Sequence, residues 1–270
     1  MINSVNYPGR VIRTFQHYRR LVGRFTNWPL WIIFKWGWLG ERTIRMCTYD
    51  GLKIDVPWQV RHAFKDIFLY HTYFHPGVLA TLPEKPVVID IGGNVGFFSS
   101  FALCLRPQAR CLSFEPLVGN YSQLQDNRKL NPEADWHPVQ GAVAGWDGSV
   151  RIFSPSGDSL VTNAFIETTG RDRPEQSSGE MVAAWSLETV FKQHQIEHCD
   201  WLKIDCEGAE YDIVYSMPTW LFKRITAIMI ETHVVPGDRN TSAALCDYLE
   251  NQGFDLWLAD DDVIYGLRRK

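Results

Sequence analysis

The chain opens with polar and apolar positions at helical spacing. Over residues 10–24, Arg10, Arg13, Arg19, Arg20 and Arg24 are interleaved with Val11, Ile12, Phe15, Tyr18 and Leu21, the pattern of a basic amphipathic helix. Trp28 to Leu39 follows, rich in tryptophan but broken by Pro29, Lys35 and Gly37. It is shorter than the ~20 apolar residues that a bilayer span requires. From residue 43 the period changes to two. Thr43 to Thr48 and Leu52 to Val56, joined at Tyr49-Asp50-Gly51, predict a β-hairpin with Asp-Gly in the turn. Trp58 to Tyr70 returns to helical spacing, and Pro76-Gly77 breaks the chain. From about Gly77 onward strand and helix patterns alternate, which predicts a largely parallel sheet covered on both faces. The chain thus divides into a helical segment (1–42), a hairpin and helix leading into the core (43–76), and a main domain (77–270).

The first strand of that domain is the most informative stretch. Val87-Val88-Ile89 runs into Asp90-Ile91-Gly92-Gly93-Asn94-Val95-Gly96 and then the apolar helix Phe97 to Leu105. Strand, glycine turn and helix amino terminus form a cradle in which free N–H groups attract an anionic group. A dinucleotide fingerprint would read G-x-G-x-x-G. Here an acid, Asp90, precedes the first glycine instead, and an acid suits a ligand carrying positive charge, such as S-adenosylmethionine with its sulfonium and ammonium groups. The second strand, Ala109 to Phe114, ends in Glu115-Pro116, 19 residues after Gly96, the spacing of an acid that accepts hydrogen bonds from ribose hydroxyls. That spacing fits NAD as well as S-adenosylmethionine. Asn120, Leu124, Asn127 and Asn131 follow on one helical stripe, the asparagines being caps or contacts near an adenosine.

Two more strands carry acids at the same edge. Trp201 to Ile204 ends in Asp205, with Glu207 and Glu210 in the following turn, and Ile225 to Ile230 ends in Glu231-Thr232-His233. In open α/β sheets ligands bind at the carboxyl ends of the strands. A carboxylate ending a buried strand needs a partner, which favours a functional Asp205, whereas Glu210 in a first helical turn suits the helix dipole. Thr241 or Ser242 caps a last helix closed by Gly253, and Phe254 to Leu258 and Val263 to Leu267 flank an Asp260-Asp261-Asp262 turn as a terminal antiparallel hairpin. Ser154 to Glu180 is a long polar excursion, read as an acceptor-binding lid.

Composition narrows the partners. Residues 1–50 carry eight Lys or Arg against two acids, while the whole chain has a net charge of −4, so the body is acidic. Nucleic acid is therefore not expected as a partner, because duplex affinity comes mostly from cationic neutralisation of phosphates. Six cysteines without a CxxC pair point to a reducing, cytoplasmic setting. For the amino-terminal segment two readings stand: packing on the body or in a homodimer interface, or peripheral contact of residues 1–40 with the inner face of a membrane.

The motifs Val88 to Gly96, Phe114-Glu115-Pro116 with Asn120, Leu124, Asn127 and Asn131, Leu202 to Glu210, and Ile230 to His233 together resemble those of FkbM-family methyltransferases over about Val87 to Gly253. Gly93 stands where the family commonly has alanine. The resemblance implies an α/β, Rossmann-like class I methyltransferase fold, with a mostly parallel seven-stranded sheet and a carboxyl-terminal antiparallel hairpin. It implies S-adenosylmethionine as cofactor, held by Asp90, Gly92, Gly93, Asn94, Gly96, Glu115, Asn120, Ala142 and Asp205. The expected reaction is methylation of a hydroxyl on a sugar, glycan or polyketide-like small molecule. His233 is the expected base, held by Glu231, with Asp205 as second choice. Alternatively Asp205, Glu231 and His233 hold a divalent cation that acidifies the hydroxyl. Rival readings are an NAD-dependent oxidoreductase and a catalytically inactive binding protein on the same fold.

Overall fold

The computed structural model describes residues 3–4, 10–153, 160, 165–166, 179–259 and 262–269. The Ser154 to Glu180 lid falls mostly outside these residues, as do Asp260 and Asp261 of the expected turn.

The chain begins with β1 (Asn3–Ser4), α1 (Arg10–Arg24) and α2 (Trp28–Lys35), then the hairpin β2 (Ile44–Cys47) and β3 (Lys53–Val56). The hairpin turns at Asp50-Gly51, where Gly51 takes a φ of 88°. Next come α3 (Arg61–Lys65), a π-helical turn (Asp66–Tyr70) and α4 (Pro76–Thr81). The main domain continues with β4 (Val87–Ile91), α5 (Phe97–Leu105), β5 (Arg110–Glu115), α6 (Val118–Lys129), β6 (Trp136–Gln140), β7 (Ala142–Ala144), β8 (Gly148–Phe153), β9 (Phe165–Ile166) and β10 (Gly179–Ser186). It ends with α7 (Leu187–Gln193), β11 (Cys199–Ile204), α8 (Glu210–Ser216), α9 (Thr219–Phe222), β12 (Ile225–Glu231), α10 (Ser242–Asn251), β13 (Phe254–Ala259) and β14 (Val263–Arg268).

The main sheet has the order β1-β13-β14-β12-β11-β4-β5-β6. β14 runs antiparallel to β12 and to β13, and all other pairs are parallel. The two-residue β1 adds an eighth strand at the edge of the expected seven, and the terminal hairpin inserts its second strand next to β12. This is the class I methyltransferase arrangement. A second, four-stranded sheet, β7-β10-β8-β9, was not legible as such in the sequence.

Strand alternation divides the core. Ile89, Leu112, Leu202 and Ile228 face α7, α8, α10 and the second sheet, while Val88, Cys111, Trp201 and Ala227 face the other way. On that other face the aromatic residues of the early segments are buried with α5. Phe64 packs on Phe97 at 5.5 Å between ring centroids and Phe68 on Phe101 at 5.6 Å, with Leu21, Phe25, Trp31 and Phe34 in the same cluster. Arg20 donates to the Leu69 and Tyr70 carbonyls and Arg24 to that of Cys104, so these two arginines of the basic helix serve internal contacts. Trp36 and Trp38, by contrast, are 65% and 77% exposed. No helix among the described residues is long and apolar enough to cross a membrane.

Candidate active site

The carboxyl ends of β4, β5, β11 and β12 open into a cavity of about 280 Å³. Sheet order sets its two sides. The end of β5 contributes Glu115, Pro116 and Leu117, joined by Asn120 of α6 and by Ala142 and Val143 of β7; β11 and β12 contribute Lys203, Asp205, Glu231 and His233. Between them the glycine turn supplies Gly92, Gly93 and Asn94. The remaining wall is made by residues the sequence reading did not single out: His62, Ala63, Asp66, Ile67, Thr72 and Tyr73.

The turn is shaped by close approach. Gly92 has a φ of 74°, and a Cβ there would lie 1.8 Å from the Asp205 carbonyl oxygen, so the chain turns between two strand ends only because Gly92 has no side chain. Gly96 opens α5 at a φ of 89°, but it faces Leu124 and Trp136 rather than the cavity. Its role is packing, which corrects its assignment to the cofactor.

Asp90 is corrected in the same way. It is fully buried and does not line the cavity. Its Oδ2 accepts from the Ser99 hydroxyl at 2.7 Å, and its Oδ1 lies 3.3 Å from the Lys203 ammonium. Lys203 and Asp90 are register partners on β11 and β4, so both side chains leave the sheet on one face. Burial opposes the Lys203 charge, but Asp205 and Asp90 outweigh it and hold the ammonium well above its usual range. It also lies 3.3 Å from Asp205 Oδ2 and donates to the carbonyls of Ile91 and Gly92 at 3.2 and 2.7 Å. Asp90 thus neutralises a buried lysine beneath the turn instead of meeting a cationic ligand.

Glu115 lines the cavity at the end of β5. Its Oε2 accepts from the Asn94 N–H at 2.8 Å, and its Oε1 from the Leu117 N–H at 3.0 Å and the Asn120 amide at 3.3 Å. Burial pushes the carboxyl up to about 7 in spite of these donors. Asn127 and Asn131 lie elsewhere. Asn127 accepts from the Asp55 N–H at 2.7 Å and donates to its carbonyl, and Asn131 makes the same pair with Lys53, so α6 ties down β3.

At the other side Tyr73 reaches between two acids. Its hydroxyl lies 2.8 Å from Asp205 Oδ2 and also bonds Glu231 Oε2. Burial and the neighbouring Asp205 push Glu231 up to about 7. His233 is held not by Glu231 but by Glu210, with Nδ1 2.6 Å from Oε1; Nε2 is 3.5 Å from Glu207. Burial opposes the charged ring, yet the Glu210 hydrogen bond and the charges of Glu210, Glu207 and Asp205 push His233 up to about 9. Glu210 also accepts from the Cys206 and Gly208 N–H groups, closing the turn before α8. The expected cation site is corrected too: His233 Nδ1 is taken by Glu210, Tyr73 lies between Asp205 and Glu231, and no such metal-ligand cluster occurs among the described residues.

The family described as "Methyltransferase FkbM domain" matches residues 90–256. The chain belongs to the FkbM methyltransferase family. Methyltransferase sdnD of Sordaria araneosa is 27% identical over 84% of this chain and 95% of its own. 31-O-demethyl-FK506 methyltransferase FkbM of Streptomyces tacrolimicus is 24% identical over 77% of this chain and 86% of its own. A crystal structure of methyltransferase FkbM from Methylobacillus flagellatus KT gives a TM-score of 0.47 at 12% identity, covering 77% of this chain and 54% of that one.

The FkbM family cofactor is S-adenosylmethionine, and the residues lining the cavity offer groups that would hold it. Glu115 would accept from the ribose hydroxyls, Asn120, Leu117, Ala142 and Val143 would flank the adenine, and the amino terminus of α5 with Asn94 would take the carboxylate.

Proposed function

We propose that this FkbM-family protein transfers the methyl group of S-adenosylmethionine to a hydroxyl of a sugar, glycan or polyketide-like acceptor, with Glu231 as proton acceptor. The observation that carries the reading is Glu231 itself. It ends β12 at the cavity, beside Asp205, and burial brings its carboxyl to about 7, where a general base works best. The Streptomyces relative, whose name specifies a 31-O-demethyl acceptor, supports oxygen as the methylated atom. When bound, S-adenosylmethionine supplies a methyl carbon whose bond to positive sulfur breaks with the electron pair left on sulfur.

The acceptor oxygen must lie in line behind that carbon, and its proton passes to Glu231 as the oxygen–carbon bond forms. Site charge is conserved, because a sulfonium charge disappears and a proton arrives. His233 is less suited to the base role first expected of it. A ring whose pKa lies at about 9 is cationic at neutral pH and has no lone pair to offer. It instead holds Glu210 and the turn after Asp205. Holding oxygen, carbon and sulfur in line supplies up to ~7–11 kcal/mol of barrier lowering, and a base a further factor of ~10²–10⁴.

Labelled S-adenosylmethionine and a panel of hydroxyl acceptors provide the test. Turnover should rise as pH passes through about 7, where Glu231 loses its proton, and Glu231→Gln should lower it by ~10²-fold or more without weakening cofactor binding. A Glu231→Gln enzyme as active as the parent would refute the assignment.

A further inference from the structure

Tyr73 precedes the family-matched residues 90–256 and comes from the segment between the π-helical turn and α4. It is nevertheless hydrogen-bonded to two strand ends at once, to Asp205 after β11 and to Glu231 at the end of β12. Those strands are parallel neighbours with Ile204 opposite Ile230, so the two acids are the next pair in register. Side by side at the edge of a buried sheet, two carboxylates repel; the phenol's single proton is donated to one of them, and its oxygen accepts from the other when that one is protonated.

The phenol is built into that place. Its ring meets Phe98 edge-on at 6.0 Å, and the Lys203 ammonium lies 5.6 Å from the ring centroid. The chain just before it is pinned as well: the Thr72 N–H donates to the Asp66 carbonyl at 3.0 Å, and the Tyr265 hydroxyl of β14 donates to the Thr72 carbonyl. His71, at a φ of 59°, ends the π-helical turn, a feature frequent at functional sites.

We infer that Tyr73 is a positioning residue of the methyl-transfer site, its hydroxyl held between the Asp205 and Glu231 carboxyls, donating its one proton to an ionised carboxylate and accepting from the other when that is protonated, so that Glu231 faces the acceptor oxygen. The inference rests on the reading of Glu231 as proton acceptor. It makes residues 61–73 a functional wall of the active site, supplied from outside the family-matched span.

Tyr73→Phe keeps the ring and removes the bridge, and a double-mutant cycle with Glu231→Ala isolates the coupling. S-adenosylmethionine affinity, measured by calorimetry, should stay within about threefold, because the hydrogen bonds of the Tyr73 hydroxyl go to Asp205 and Glu231 and not to the Glu115 side. Turnover should fall about tenfold or more with acceptor KM little changed, the loss expected for a hydrogen bond to a charged group. In the Glu231→Ala background the same substitution should cost less than about threefold. Equal losses in both backgrounds overturn the positioning role.

Thermal denaturation of the same four proteins, which needs neither cofactor nor acceptor, reads the bridge directly. Tyr73→Phe should lower the melting temperature more in the parent than in Glu231→Ala, and equal lowering overturns the bridge. Should Tyr73→Phe alone be recovered unfolded, a folded Tyr73→Phe/Glu231→Ala supports the bridge and an unfolded one overturns it. Failure of the function reading is separate: coupling in the melts with no methyl transfer by the parent keeps the bridge and overturns its catalytic purpose.

Discussion

Acids at the ends of adjacent strands look alike in sequence, yet Asp90 and Glu115 predict opposite outcomes. Asp90 is fully buried against Lys203 and Ser99. Asp90→Ala should cost stability, about 3 kcal/mol or more for a broken buried pair, and appear as a lowered melting temperature. Glu115→Gln keeps the size of the side chain but offers one amide oxygen where the Leu117 and Asn94 N–H groups use two carboxylate oxygens, and it loses the charge offered to the ribose. It should weaken S-adenosylmethionine about tenfold or more, for ~1.5–3 kcal/mol, with a melting temperature lowered less than that of Asp90→Ala. Calorimetry and melting curves on both variants check this, and the reverse pattern would return Asp90 to the cofactor. Glu115, Asn120, Asp205, Glu231 and His233 were legible because each follows a recognisable strand. The face taken by Asp90 was not, since it depends on the register of β4 with β11, strands more than a hundred residues apart in the chain. Lys203 did leave a signal: a lysine inside an apolar strand needs buried anions. Tyr73 left none, lying 132 residues from Asp205 and 158 from Glu231.

Among the elements, the glycine turn before α5 has the sharpest steric requirements. A Cβ on Gly96 would meet Leu124 and Trp136 at 2.6 Å on a residue with φ of 89°, whereas one on Gly93 would meet the Ser113 Cβ at 3.2 Å. Gly96→Ala should therefore destabilise the protein by ~1–3 kcal/mol, the range for overpacking, while Gly93→Ala, the residue common in the family, stays folded and active. Equal melting temperatures for the two would show that the turn is looser than its geometry. The hairpin β2–β3 and the Thr241 cap of α10, which accepts from the Ala244 N–H at 3.2 Å, follow the local code. The second sheet does not, because β10 acquires its partners β7 and β8 only by tertiary pairing. The asparagine stripe of α6 shows the same limit. Helical spacing put Asn120, Asn127 and Asn131 together, but only Asn120 reaches the cavity, the other two being spent on the backbone of β3.

Across the whole molecule, pH acts on stability through the site's own charges. His233 binds its proton more tightly folded, up to about 9, than its usual 6.5, so its contribution is complete below 6.5 and is lost as pH rises toward 9. Glu115 and Glu231, raised to about 7, lose theirs between the ordinary carboxylate range and neutrality. His71, pushed down to about 3 by burial, acts in the opposite sense and is finished by 6.5. Buried thiols such as Cys199 and Cys111 add a further loss only near their ordinary value of 9. Between about pH 7 and 8.5 the melting temperature of the protein without cofactor should therefore fall, and in His233→Gln that slope should largely vanish. A flat profile in the parent, or an unchanged one in the variant, contradicts the Glu210–His233 pairing. The central claim concerns the atom that is methylated, and one measurement addresses it most directly. The protein is incubated with S-adenosylmethionine labelled with ¹³C in its methyl group and with sugar and polyketide-type alcohols, and NMR of the product reports what the labelled carbon is bonded to. The account predicts a methyl carbon on oxygen; label found on nitrogen or carbon, or no product from a protein that binds the cofactor, would contradict it.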